Sequence, residues 1–180
     1  MKPPQPYICL TDICFNQSDA YETLIRRFEH RVFNLVSRLL DDPSDGFTVT
    51  QKVFRKIFRS LSTFSCEYTL RISIYRIAVS EARNHRSWFR RRRRQDVSRP
   101  SIEEALRTVN PTLRAALVLR ETESLSCEEI SEILDVSVDT VKSRIVQGRH
   151  ALLKHCQSND WGQAFGYSEE SIREPSSCLQ

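Results

Sequence analysis

Glycine is scarce in this chain, at four residues in 180, and there is a single methionine. Few alternating β-branched runs accompany that scarcity, which speaks against strands and tight hairpins and for an all-α protein. No apolar run approaches the ~18 residues that cross a bilayer, so no membrane insertion is expected. The six cysteines, at positions 9, 14, 66, 127, 156 and 178, form no CxxC pair and no zinc-type cluster with the four histidines. A bound metal and a disulfide framework are therefore not expected. Scattered thiols without a signal-peptide pattern point to a reducing, cytoplasmic setting. Also missing are a glycine-rich phosphate loop, an HExxH pair and a nucleophile elbow, so neither a cofactor nor enzymatic chemistry is expected. Glu81 and His85 share a helix face at i, i+4, but that is the spacing of an ordinary solvated pair.

What the chain has is charge with a pattern. Hydrophobic residues make up 39% and charged residues 28%, enough for modest helical cores and unlike a disordered chain. The formal net charge of +4 would not by itself reveal a nucleic-acid partner. Its distribution does, because Arg83 to Arg94 (RNHRSWFRRRRR) holds seven arginines in twelve residues. Such a block can neutralise phosphates and release their counterions. A solvated basic segment or a nuclear-import signal fits the same run.

The expected organisation is a flexible lead-in over 1–18, a helical unit over 19–94, a short joint over 95–100, a second helical unit over 101–157 and a polar tail over 158–180. In the first unit, helices are expected from Asp19 to about Leu40, from about Thr48 to Leu61, and from about Leu70 into the arginine block. The DDPSDG turn separates the first two, and a polar loop, Ser65 to Thr69, precedes the third. Pro100 ends the joint, and Pro111 starts a helix with Leu113, Ala116, Leu117 and Leu119 inward.

The most informative stretch is LSCEEISEILDVSVDTVKSRIVQGRHAL, Leu125 to Leu152. Ser126 and Glu129 have the spacing of a capping box, and Ile130, Ile133 and Leu134 give that helix an apolar side. Asp135-Val136-Ser137 breaks the pattern, and Ser137 can cap a second helix from Val138. There Val138, Val141, Ile145, Gly148 and Leu152 recur on one side at a period near 3.6. Asp139, Ser143, Val146, Gln147 and His150 lie opposite, flanked by Thr140, Lys142, Arg144 and Arg149. This is a helix-turn-helix pattern whose second helix suits a DNA major groove. An amphipathic helix pair whose charged face simply meets water fits the same spacing.

Both halves resemble the extracytoplasmic-function (ECF) sigma factors, two-domain initiation subunits of bacterial RNA polymerase within the sigma-70 family. The resemblance rests on RVFNLVSRLLDDPSD, TQKVFRKIFRSLSTF and LRISIYRIAVSEARNHR in the first half, and on NPTLRAALVLRETESLSCEEISEILDVSVDTVKSRI in the second. It implies a region 2 helical bundle and a region 4 helix-turn-helix, with promoter DNA and core RNA polymerase as partners and room for an anti-sigma factor. Gln51, Val53 and Phe54 would meet the polymerase. Region 2 would melt the −10 element: Phe64 and the loop after it would capture an unstacked base, Ser80 and Asn84 would reach a base edge, and Arg76, Arg83 and Arg86 would hold phosphates. Phe64 and Tyr75 could equally be core residues. Region 4 would lay its last helix in the −35 groove, with Lys142, Ser143, Val146 and Gln147 towards the bases, Arg144 and Arg149 on the backbone, and Asp139 and Thr140 also among its DNA-binding residues.

Three departures from the family pattern stand out. The acidic clamp-binding motif reads GFTVTQKVF here, with Phe47, Thr48 and Lys52 where carboxylates are usual. The family's usual Trp and Asn in the third region 2 helix are Ser73 and Ser80. The joint is short: six extended residues span about 20 Å, whereas promoter elements roughly 17 base pairs apart are separated by about 60 Å. A sigma-derived DNA-binding regulator with weakened polymerase binding is the alternative these departures leave open.

Overall fold

A computed structural model of the chain describes residues 17–60, 67–85 and 102–158. Among them are seven α-helices and no strand. Helix α1 spans Gln17–Leu39 and leads through a 3-10 turn, Pro43–Asp45, into α2, Gly46–Arg59. The turn is fixed by Asp42, whose carboxylate accepts from the Ser44 backbone N–H at 2.9 Å. Gly46 sits where α1 and α2 meet, and a Cβ there would lie 2.5 Å from Ser37 Oγ. Helix α3 spans Glu67–Asn84. It starts before Leu70, so Tyr68 and Thr69 are helical and not part of a loop. An aromatic and a β-branched residue are weak helix formers, but Tyr68 gains tertiary partners that override propensity.

The second unit comprises α4, Ile102–Thr108; α5, Pro111–Glu123; α6, Cys127–Leu134; and α7, Val138–Ser158. Asn110 caps α5, accepting from the Thr112 backbone N–H at 3.0 Å, with Pro111 in the first turn where a missing N–H costs nothing. Helices α5 and α7 cross closely at Gly148, where a Cβ would meet Leu113 O and Leu117 Cβ at 3.4 Å. The arginine block beyond His85, the joint and the two terminal segments lie outside the described residues.

The two units share one buried apolar cluster, running from Leu24, Phe28 and Leu35 in α1 to Leu119, Ile130 and Ile145 in the second unit. Helix α1 packs on α4 and α5, and α3 packs on α6. At the centre of the first contact lies Arg114, 2% exposed. Its guanidinium donates to Leu39 O at 3.1 Å and to Asp41 Oδ1 at 3.2 Å, both in the first unit. It also donates to Arg107 O and Val109 O at 3.2 Å, holding the α4–α5 corner. Arg38 adds a bond to Thr122 Oγ1 at 3.1 Å.

The carbonyls are the larger part of what Arg114 satisfies, because Asp41 is 76% exposed and its charge is screened by water. Arg114→Met should therefore cost about 3–5 kcal/mol in urea unfolding, since it strands buried acceptors. Asp41→Asn should cost under about 1 kcal/mol. Equal losses from the two would show that the ion pair dominates.

Candidate nucleic-acid interface

The outer face of the second unit is built by local rules. Ser126 Oγ accepts from the Glu129 backbone N–H at 3.1 Å, and the Glu129 carboxylate accepts from the Ser126 N–H at 2.9 Å, closing the capping box at the start of α6. The backbone N–H of Glu128 and the Ser126 hydroxyl also hold the Glu128 carboxyl below its usual pKa. Helix α6 ends on Asp135, whose φ of 54° and ψ of 54° are left-handed, the conformation that favours glycine. The turn is pinned by Ser131, whose hydroxyl donates to Val136 O at 2.5 Å. Ser137 then caps α7, accepting from the Thr140 N–H at 3.2 Å.

With both ends set, α7 presents its faces as the periodicity requires. Val141 and Ile145 are buried against the unit, and Gly148 faces α5. Asp139, Lys142, Ser143, Val146 and Gln147 are exposed or half-buried on the outer side, Val146 at 46%. Thr140 and Arg144 are half-buried at the edge of that face. Gln147 Nε2 donates to Ser143 Oγ at 2.9 Å, so these neighbours already act as one hydrogen-bonding unit. Arg149 lies at the margin, bound by Nε to Glu121 on α5 at 2.9 Å. A polar and cationic strip on one rigid helix can donate and accept at base edges and hold phosphates.

The first-unit residues are distributed less simply. On α3, Arg76, Ser80, Arg83 and Asn84 are exposed, and Asn84 Nδ2 reaches Ser80 Oγ only at 3.5 Å. Arg76 is engaged across the units, donating to Glu132 O at 2.6 Å. Phe64 and Arg86 lie outside the described residues. Tyr75 is a core residue, 1% exposed, with its hydroxyl donating to the Glu123 carboxylate at 2.6 Å. Burial first, then Glu123, push its pKa well up. Glu81 and His85 do not pair with each other: Glu81 takes Lys56 of α2, and His85 Nε2 lies 2.9 Å from Asp45 Oδ2.

On α2, Gln51 is exposed, but Val53 and Phe54 are 0% and 5% exposed. Their side chains pack in the core, so of the three residues expected to meet the polymerase only Gln51 stands on the outer side of α2. Phe47, 61% exposed, shares the outer side with Thr48 and Lys52. Sequence reading also missed Arg71 and Tyr68, which meet Glu129 and Glu132 of α6. Their spacing with Tyr75 at i, i+3, i+7 was a readable signal, hidden by placing Tyr68 in a loop.

A helix-turn-helix with an outward polar face, docked on a three-helix bundle, is an architecture of DNA-reading helical proteins. A sigma-70 region 4 family model matches residues 99–152. The chain is 32% identical over 162 residues to the ECF RNA polymerase sigma-E factor of Escherichia coli, covering 74% of this chain and 84% of that protein. It is 28% identical over 169 residues to the RNA polymerase sigma-H factor of Pseudomonas aeruginosa, covering 77% and 86%. Among solved structures, CnrH in complex with the cytosolic domain of CnrY shares the fold, with a TM-score of 0.68 at 23% identity over 81% of this chain and 92% of that one.

The chain belongs to the ECF sigma factors, DNA-binding subunits that direct core RNA polymerase to promoters and initiate transcription.

The left-handed cap gives a direct check on the turn. Asp135→Gly should leave the fold intact and raise stability by about 0.5 kcal/mol in urea unfolding. Asp135→Val should lower it by about 1–2 kcal/mol, because a β-branched side chain clashes at that φ. A neutral Val variant would mean the turn is not held as described.

Proposed function

We propose that α7 is the −35 recognition helix, with Lys142, Ser143, Val146 and Gln147 at base edges, Asp139 and Thr140 at its N-terminal turn, and Arg144 and Arg149 on phosphates. The observation that carries this reading is the division of α7 itself. Val141 and Ile145 are buried while the residues one position on, Lys142 and Val146, are exposed. A helix seated by its inner stripe offers the outer one in a fixed orientation, as direct readout needs.

In the first unit, Arg76, Ser80, Arg83 and Asn84 of α3 serve the −10 element, and Phe64 and Arg86 belong to the same assignment. The boundaries of this role are 19–94 for the −10 and polymerase-binding unit and 101–157 for the −35 unit. Gln51, with Phe47 and Lys52 beside it, meets the polymerase with an aromatic and cationic surface in place of the usual carboxylates. The protein acts in the cytoplasm without catalysis of its own. The neighbouring structure of CnrH with the cytosolic domain of CnrY supports adding an anti-sigma factor to its partners.

Run-off transcription with core enzyme and a promoter library tests this assignment. Lys142→Ala and Gln147→Ala should each change the preferred −35 sequence, at about 1–3 kcal/mol for each base edge no longer read. Arg149→Ala should weaken promoters of all sequences alike. Unchanged base preference in both alanine variants would remove α7 from the −35 groove.

A further inference from the structure

The outer face of α7 is polar except at Val146, which is 46% exposed. Among the described residues of the second unit it is the one large hydrophobic side chain left exposed. A β-branched residue is a weaker helix former than Ala, Leu or Lys, and an apolar one in water gains nothing from burial. Neither helix stability nor packing therefore accounts for a valine there. In a major groove the base edges present one apolar group, the C5 methyl of thymine, and otherwise hydrogen-bond donors and acceptors.

Beside Val146, Gln147 is committed in part. Its Nε2 donates to Ser143 Oγ, one turn back, at 2.9 Å. A primary amide has two N–H donors and a carbonyl, so one N–H and the carbonyl remain for a ligand. That pair matches adenine, which offers an acceptor at N7 and a donor at N6. Guanine offers two acceptors there, and its O6 would face the Gln147 carbonyl. Consecutive Cα atoms are about 3.8 Å apart, against a base step of ~3.4 Å, so Val146 and Gln147 reach the same base pair or adjoining ones. We infer that these two residues select A·T pairs within the −35 sequence: Gln147, positioned by Ser143, pairs bidentately with an adenine, and Val146 packs on the methyl of a thymine in the same or the adjoining pair. The inference rests on reading α7 as the −35 recognition helix and adds which bases it selects.

The test uses the full chain with core polymerase. A −35 sequence is selected from a randomised promoter library, and base analogues are placed at each of its adenines and thymines. Deoxyuridine removes only the thymine methyl, 7-deazaadenine removes N7, and deoxynebularine removes the N6 amino group. At one thymine, deoxyuridine should weaken binding about fourfold, the weight of one buried methyl group, and that loss should vanish in Val146→Ala. At one adenine, each of the two analogues should weaken binding about fivefold, and neither should matter in Gln147→Ala. Gln147→Arg should move the preferred base at that adenine to guanine, because a guanidinium donates to both N7 and O6. Ser143→Ala should lower the preference for adenine over guanine about threefold and leave the methyl effect unchanged. A selected element without A·T pairs overturns the inference, as does a methyl effect that persists in Val146→Ala or an adenine analogue that weakens Gln147→Ala as much as the unmodified chain. An unchanged adenine preference in Ser143→Ala removes the positioning role. Lys142→Ala separates the two readings. If it changes the preferred −35 sequence while no analogue effect depends on Val146 or Gln147, only the base assignment is wrong; if no variant of Lys142, Val146 or Gln147 changes base preference, the −35 assignment of α7 fails as well.

Discussion

Arg114 projects from α5 into a space closed by α1 and the α4–α5 corner, and its donors reach three backbone carbonyls and one carboxylate there. A buried guanidinium is costly unless every face is met, and here the groups that meet it belong to two different units. The C-terminal end of α1 is left with orphan carbonyls like any helix end, and Leu39 O is satisfied by this side chain from the other unit. One side chain thus completes a helix end in the first unit and a corner in the second. That anchorage lies where α1 packs on α5, while α3 packs separately on α6.

Other cations of the two units are also held by partners within the molecule. Arg149 rests on Glu121, Arg71 on Glu129, and Arg76 on a carbonyl of α6. Cations with partners already in place are held in one orientation by the acceptor each one meets. Lys142, Ser143, Val146 and Gln147 stand exposed on the outer side of α7, whose other side is buried.

Much of this was legible in the sequence. Ser126 and Glu129 announced the start of α6, Ser137 the start of α7, and the 3.6-residue stripe through Val141, Ile145 and Gly148 told which side faces inward. These are short-range rules, acting within a turn or two of the chain. Asp135 was harder, because glycine is the usual left-handed residue and aspartate only tolerates that φ. Arg114 was invisible: an arginine in an apolar helix is expected to reach water, and nothing local marks acceptors some 75 residues away. Tyr68 and Arg71 were missed for the same reason, since their partners lie on α6. Val53 and Phe54 are buried on the inner side of α2, as their spacing with Val49 and Ile57 requires.

Under the promoter assignment proposed for α3 and α7, closure between the units and the span of a promoter conflict. On the proposed reading, in which α3 serves the −10 element and α7 the −35 element, α3 and α6 must part before both elements can be held. Fluorescence energy transfer between probes at Ser80 on α3 and His150 on α7, both exposed, measures that parting most directly. The free chain should show a short distance, and the complex with core polymerase and promoter a distance on the order of 60 Å. The same short distance in the promoter complex would contradict the account.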